Sequence, residues 1–281
     1  MKKVWAFKVF GVAFLATGLF LAGCNRTKLV DDSEMAQRNA MAENYFDDVN
    51  SISNQAAADG DLSSYKMEST DAIASGCATV TRDTTASPRT MTIDFGATNC
   101  MCRDGKNRRG KILVSYTGKY SEPGTIITVT FEEYYVNDNH VEGTKTIENM
   151  GINAAGHLVY HIVVNGSITL ADNGEVHTWT ADKYREWIGG QATPRIWADD
   201  TFNMWGIRTG TDKRGNDYTA TVLEATPLFK TADCRYFVSG IVTFTGGQRS
   251  GTKTLDFGNG TCDNTATLTV NGRTKTITLR H

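Results

Sequence analysis

The chain has 281 residues, of which 40% are hydrophobic, 21% are charged and four are proline, and its formal net charge is −2. This is the composition of a globular protein long enough for one large core, and it excludes low-complexity and collagen-like chains. The near-neutral balance offers no electrostatic footprint for nucleic acid, so no nucleic-acid partner is expected.

Lys2, Lys3 and Lys8 lie before or at the start of an apolar run from Val9 to Ala22, the pattern of a secretory signal peptide over residues 1–23. The run is about 14 residues, short of the roughly 20 that a helix needs to cross a hydrocarbon core. Leu21-Ala22-Gly23-Cys24 resembles the lipobox of bacterial lipoproteins. That resemblance implies cleavage before Cys24, lipidation of its thiol, and a membrane partner held through the N-terminal lipid. Residues 24–33 then read as lipidated cysteine and tether. Asn25 stands where an aspartate, by resemblance to enterobacterial sorting, would signal inner-membrane retention. An outer-membrane lipoprotein is therefore expected, at the cell surface or facing the periplasm. Asp31-Asp32-Ser33-Glu34 resembles the surface-export signals of Bacteroidetes-type lipoproteins, and reads equally as a solvated tether.

Met35, Ala42, Tyr45, Phe46, Val49, Ile52 and Ala56 recur at helical spacing, interrupted by Asn39. The spacing predicts one amphipathic helix over 34–60, capped by Ser33, ended by Asp59-Gly60, and packed on a sheet. From Cys77 onward the period is 2 and the punctuation is that of hairpins, as at Asp172-Asn173-Gly174 and Asn271-Gly272. In the clearest strand Leu158, Tyr160, Ile162, Val164, Ile168 and Leu170 share one face. About a dozen strands with short turns predict an all-β fold over 61–281, an antiparallel meander forming a sandwich or partly closed barrel.

Thr90 to Cys100, TMTIDFGATNC, and Thr252 to Cys262, TKTLDFGNGTC, are identical at six of eleven positions. Each follows a cysteine-led strand and precedes a strand ending in a Gly-basic turn, so repeated hairpin units are expected near 77–118 and 234–273. The first copy carries an eight-residue insertion around Met101 to Gly110. Its basic run, Arg103 to Arg109, reads as a solvated turn. A hairpin centred near Gln248 sets Cys234 opposite Cys262. The same geometry sets Cys77 opposite Cys100 or Cys102, leaving one thiol over. Export makes oxidation plausible, and no two-cysteine knuckle has zinc spacing.

No phosphate loop, nucleophile elbow or dinucleotide fingerprint precedes a helix. His157 and His161 lie about 13 Å apart along a strand, too far to share an ion. No catalytic residue, metal or cofactor is expected, and the Asp212 to Asp217 stretch reads as a polar turn. Trp179, Trp187, Trp197 and Trp205 fall within 27 positions, with Tyr184 among them. These five are candidate ligand-binding residues, because aromatic rings beside carboxylates and guanidinium groups suit a glycan. Core packing is the competing reading, above all for Trp179 and Trp187.

The lipobox, the acidic segment, AENYFDDVNSIS, YREWIGG and the ending from CRYFVSGIVTF to TVNGRTKTITL together resemble uncharacterised lipoproteins of Bacteroidetes-type bacteria. The resemblance implies an envelope location and supplies no catalytic residue. The leading expectation is a non-catalytic binding or scaffolding lipoprotein, with a glycan or an envelope protein as partner. Three others stand beside it: a glycan-binding accessory of a polysaccharide uptake system, a hydrolase whose carboxylates come from distant strands, and a lipid-carrying half-barrel with the helix as lid. The last requires an apolar cavity in place of a filled core.

Overall fold

A computed structural model describes residues 23–57, 76–193, 196, 198–212, 214–247 and 251–279; for 23–32, 51 and 54–57 it gives the helical backbone alone. The residues before Gly23 expected as a signal peptide, the expected helix stop at Asp59-Gly60, Trp197 and the expected turn at Gln248 lie outside the described residues.

Among the described residues one helix, α1 (Gly23–Ala57), precedes fifteen strands. They are β1 (Thr79–Asp83), β2 (Arg89–Asp94), β3 (Cys100–Met101), β4 (Asn107–Tyr116), β5 (Ile126–Val136), β6 (Asn139–Ile152), β7 (Leu158–Thr169) and β8 (Val176–Gly189). There follow β9 (Thr201–Thr211), β10 (Asp217–Val222), β11 (Leu228–Thr231), β12 (Ser239–Gly246), β13 (Lys253–Asn259), β14 (Thr265–Val270) and β15 (Arg273–Thr278). All belong to one antiparallel sheet whose spatial order follows chain order, with β3 paired to β4 and β11 paired to β9 and β12. Short turns between consecutive strands give this meander. The expected period holds in β7, where Tyr160, Ile162, Val164 and Ile168 are buried and Val163 is exposed.

The two similar segments share several features in space. Cys77 is bonded to Cys100 and Cys234 to Cys262, with Cα–Cα distances of 5.6 and 5.7 Å. In each copy the aspartate of the Asp-Phe-Gly turn accepts from the glycine N–H two residues on, Asp94 from Gly96 and Asp256 from Gly258, both at 2.8 Å. Ile93 and Leu255 are buried at matching positions, as are Phe95 and Phe257. Cys102 is the buried spare thiol.

Two expectations are corrected. The helix takes in the stretch 24–33 expected as a tether, since no glycine or proline after Gly23 interrupts it before Ala57. Ser33 is thus no cap; it is buried inside the helix, and Lys275 of β15 donates to its hydroxyl at 3.4 Å. The inserted basic run is not simply a solvated turn either. It forms the β3–β4 hairpin, which puts the side chain of Arg108 fully out of solvent against Asp48 of α1.

The helix is covered on more than one side. Met35, Ala36 and Ala40 belong to a core with strands β9 to β15, whereas Ala42, Phe46, Val49 and Ile52 belong to a core with strands β2 to β9. Its polar side chains also reach different strands: Ser33 meets β15, Glu43 meets β8 and β9, Tyr45 meets Asn139 of β6, and Asp48 meets β4. The sheet therefore curls about α1, and an apolar stripe is only part of what holds it.

Candidate ligand-binding site

Strand parity divides the expected aromatic residues. Trp179 and Trp187 on β8 point inward and are 5% and 6% exposed. Trp179 packs edge-on against Phe46 of the helix at 5.2 Å, and Trp187 donates its indole N–H to buried Asp200. These two are core. Tyr184 of β8 and Trp205 of β9 face outward and stack, with centroids 5.8 Å apart and planes 13° apart. His161 of β7 continues the stack on Tyr184 at 4.8 Å and 19°. Parallel rings at these separations turn their faces toward one another, so Tyr184, stacked on both His161 and Trp205, offers a sugar less free ring face than Trp205 does. His161 and His157 are paired with Asp182 and Glu186, each at 2.8 Å.

The inner face holds what the sequence did not disclose. Lys145 of β6, Lys183 and Arg185 of β8 and Arg208 of β9 are each less than 10% exposed. On the helix, Glu43 receives Lys183 and Arg208, and Arg208 also donates to the Asn39 carbonyl at 2.6 Å. Lys145 donates to the Phe46 carbonyl at 3.2 Å. Arg185 donates to the Tyr120 hydroxyl and lies over the rings of Tyr160 and Phe202, 5.3 and 5.2 Å from their centroids. An inward lysine has the same alternation in a sequence as an outward one, so period alone does not mark it.

Burial governs the protonation of this cluster. It pushes the Lys145 ammonium down to about 7, partly offset by Asp47, and pushes Lys183 and Lys230 below the ordinary lysine range. Arg208 is pushed down to about 10 by burial, against a partial offset from Tyr218, and so stays charged near neutrality. At Asp47 burial works upward, but Lys183, Lys145, Lys230 and Arg185 outweigh it and hold the carboxyl below its usual value.

Beside this cluster a cavity opens between α1 and strands β8 to β13. It comprises about 760 Å³ of space, part of it open to solvent. Met204, Val222, Leu228, Phe237, Val242 and Phe257 form an apolar wall, and Glu43, Asp47, Lys183, Arg208, Lys230 and Arg235 supply charge. Gly206, also at the wall, has φ +132°, and a Cβ there would stand 2.4 Å from the Asp182 carbonyl oxygen, so only glycine fits. Trp205 is the one expected aromatic among the lining residues.

Among the described residues no His, Cys, Asp and Glu side chains gather in threes as metal ligands, and no helix is long and apolar enough to cross a membrane. Asp212 accepts from the backbone N–H groups of Arg214 and Asn216, the geometry of a polar turn. No family model matches the chain, and no curated protein or solved structure matches it either.

Proposed function

We propose that this protein is a non-catalytic binding lipoprotein of the outer membrane of a Bacteroidetes-type bacterium, held through lipid on Cys24, with its ligand site in the cavity between α1 and β8 to β13. The cavity carries the reading: it combines an apolar wall with a few convergent charged groups, the make-up of a ligand pocket. The signal-like start and the Leu21-Ala22-Gly23-Cys24 resemblance support the location. Against the hydrolase reading, the described carboxyls with displaced pKa values, including Asp47, Asp104 and Glu186, are displaced downward, the opposite of what a general acid needs. The test is native mass spectrometry of the protein purified from its own envelope. A bound small molecule that is absent from a Leu228→Trp variant, whose indole fills the cavity, is the expected result; an empty wild-type protein that stays empty when incubated with envelope extract would defeat the reading.

Glycan binding is the second reading, supported by Tyr184 and Trp205 on the outer face with Asp182 and Glu186 on the same side of β8. A glycan array separates the two, because this site responds to Trp205→Ala and not to Leu228→Trp.

A further inference from the structure

We infer that the ligand of the cavity is an anionic amphiphile, an alkyl chain bearing one carboxylate or phosphate head. This rests on the cavity being the ligand site and adds the chemistry of its occupant. Four cationic side chains, Lys183, Arg208, Lys230 and Arg235, line the cavity against two carboxylates, Glu43 and Asp47. Lys145 and Arg185 add positive charge close to Asp47. Of the two carboxylates Glu43 is already engaged, taking both Lys183 and Arg208, and Asp47 is outnumbered by Lys183, Lys145, Lys230 and Arg185.

Lys230 is the group placed to receive a head. Its ammonium donates to the carbonyls of Cys234 and Arg235 at 2.8 and 2.6 Å, and no carboxylate of the described residues lies within ion-pair distance of it. Burial, with Arg235 beside it, pushes the Lys230 ammonium below the ordinary lysine range against a partial offset from Asp47, and an incoming anion opposes that cost. The lining that holds Lys230 also holds Leu228, Phe237, Val242 and Phe257, apolar side chains for an alkyl chain to cover. A sugar or peptide would leave that wall unused, and a bare inorganic anion would leave it wet. The protein's own acyl chains begin elsewhere: Cys24 precedes Asn39 by fifteen residues on the same helix, about 22 Å at 1.5 Å per residue.

The test uses the exported chain from residue 24 with Cys24→Ser, which retains the described contacts and needs no detergent. Titration calorimetry below the micellar range compares dodecanoate, a dodecyl lysophosphatidic acid, dodecanol and acetate. Saturable one-to-one binding of an anionic chain, with dodecanol weaker by about tenfold and acetate silent, is expected; a tenfold loss is the scale of one charge-assisted hydrogen bond. The first two ligands separate a fatty acid from a phospholipid source. Lys230→Met should weaken the anionic chains by about tenfold and leave dodecanol unchanged, and Arg235→Gln serves if Lys230→Met does not fold. Dodecanol binding as tightly as dodecanoate would overturn the anionic occupant while leaving the cavity as a site. Failure of every chain to bind a folded protein would overturn the amphiphile, and the envelope-extract experiment then judges the cavity separately.

Discussion

Arg108 Nη2 lies 2.9 and 2.7 Å from the two carboxylate oxygens of Asp48, joining residues sixty apart in the chain. The same guanidinium meets both oxygens of Asp104 at 2.7 Å, and Lys106 reaches Asp48 at 3.0 Å. The insertion that distinguishes the first hairpin unit from the second thus supplies the clamp on the C-terminal half of α1. Removing one member of a buried charge cluster leaves the others uncompensated. Arg108→Met should therefore destabilise the protein by about 3 to 5 kcal/mol, read from urea unfolding. Adding Asp48→Asn should recover part of the loss; equal midpoints for the single and double variants would contradict the coupling.

The buried lysines give stability a definite pH dependence. Between pH 7 and the ordinary lysine value, Lys145 is deprotonated in the folded chain and protonated in the unfolded one, so the unfolded state holds more protons. Stability from this group therefore rises with pH in that window, and below pH 7 the folded state carries the full cost of burying the charge. Its charged neighbours are Asp47, Lys183 and Arg185; Lys183 and Lys230, also pushed down, act in the same sense. The urea midpoint is expected to rise from pH 7 to pH 9, and less steeply in Lys145→Met.

The two disulfides and the spare thiol respond differently to substitution. Cys234→Ser with Cys262→Ser opens a loop of sequence separation 28 and should cost about 3 to 4 kcal/mol. Cys102→Ala should change stability by less than about 1.5 kcal/mol, since the thiol is a small buried group. Peptide mapping without reduction should recover Cys77 linked to Cys100; recovery of Cys77 linked to Cys102 would overturn the pairing.

Inward and outward aromatic residues separate by solvent quenching as well as by stability. Trp179→Ala removes a buried indole from contact with Phe46 and should cost about 3 to 5 kcal/mol. Trp205→Ala, at a half-buried outer position, should cost about 1 kcal/mol, the size of one stacked pair. Acrylamide should quench Trp205 and spare Trp179 and Trp187. Quenching unchanged by Trp205→Ala would contradict the assignment.

Period and repetition made much of this fold legible. Tyr160, Ile162 and Val164 alternate as a half-buried strand must, and the two Asp-Phe-Gly units announced their hairpins, with Cys234 opposite Cys262. Gly206 and Gly210 break the apolar alternation of β9, so period alone does not mark this strand, although Gly206 serves a close backbone approach. The cluster of Lys145, Lys183, Arg185 and Arg208 was hidden for a different reason. A charged residue at an inward position is recognisable only once its partner is known, and the partners here, Glu43 and Asp47, come from an element more than 95 residues earlier for the nearest of the four. Tyr184 and Trp205 were legible as aromatic residues, but their stacking with His161 depends on a register that no local signal fixes.

The curling of the sheet about α1 sets an order of events during synthesis. The helix leaves the ribosome first, yet its contacts are spread over the whole later chain, from Arg108 of β4 to Lys275 of β15, 242 positions after Ser33. Neighbouring strands zip locally, whereas enclosure waits for the last strand, because contacts between distant parts of a chain bear the loop-closure cost before they return anything. A nascent chain halted before β14 would present Met35, Ala36 and Ala40 without the strands that complete their core. Such a chain acquires its final shape as a whole, once the last strands are in place.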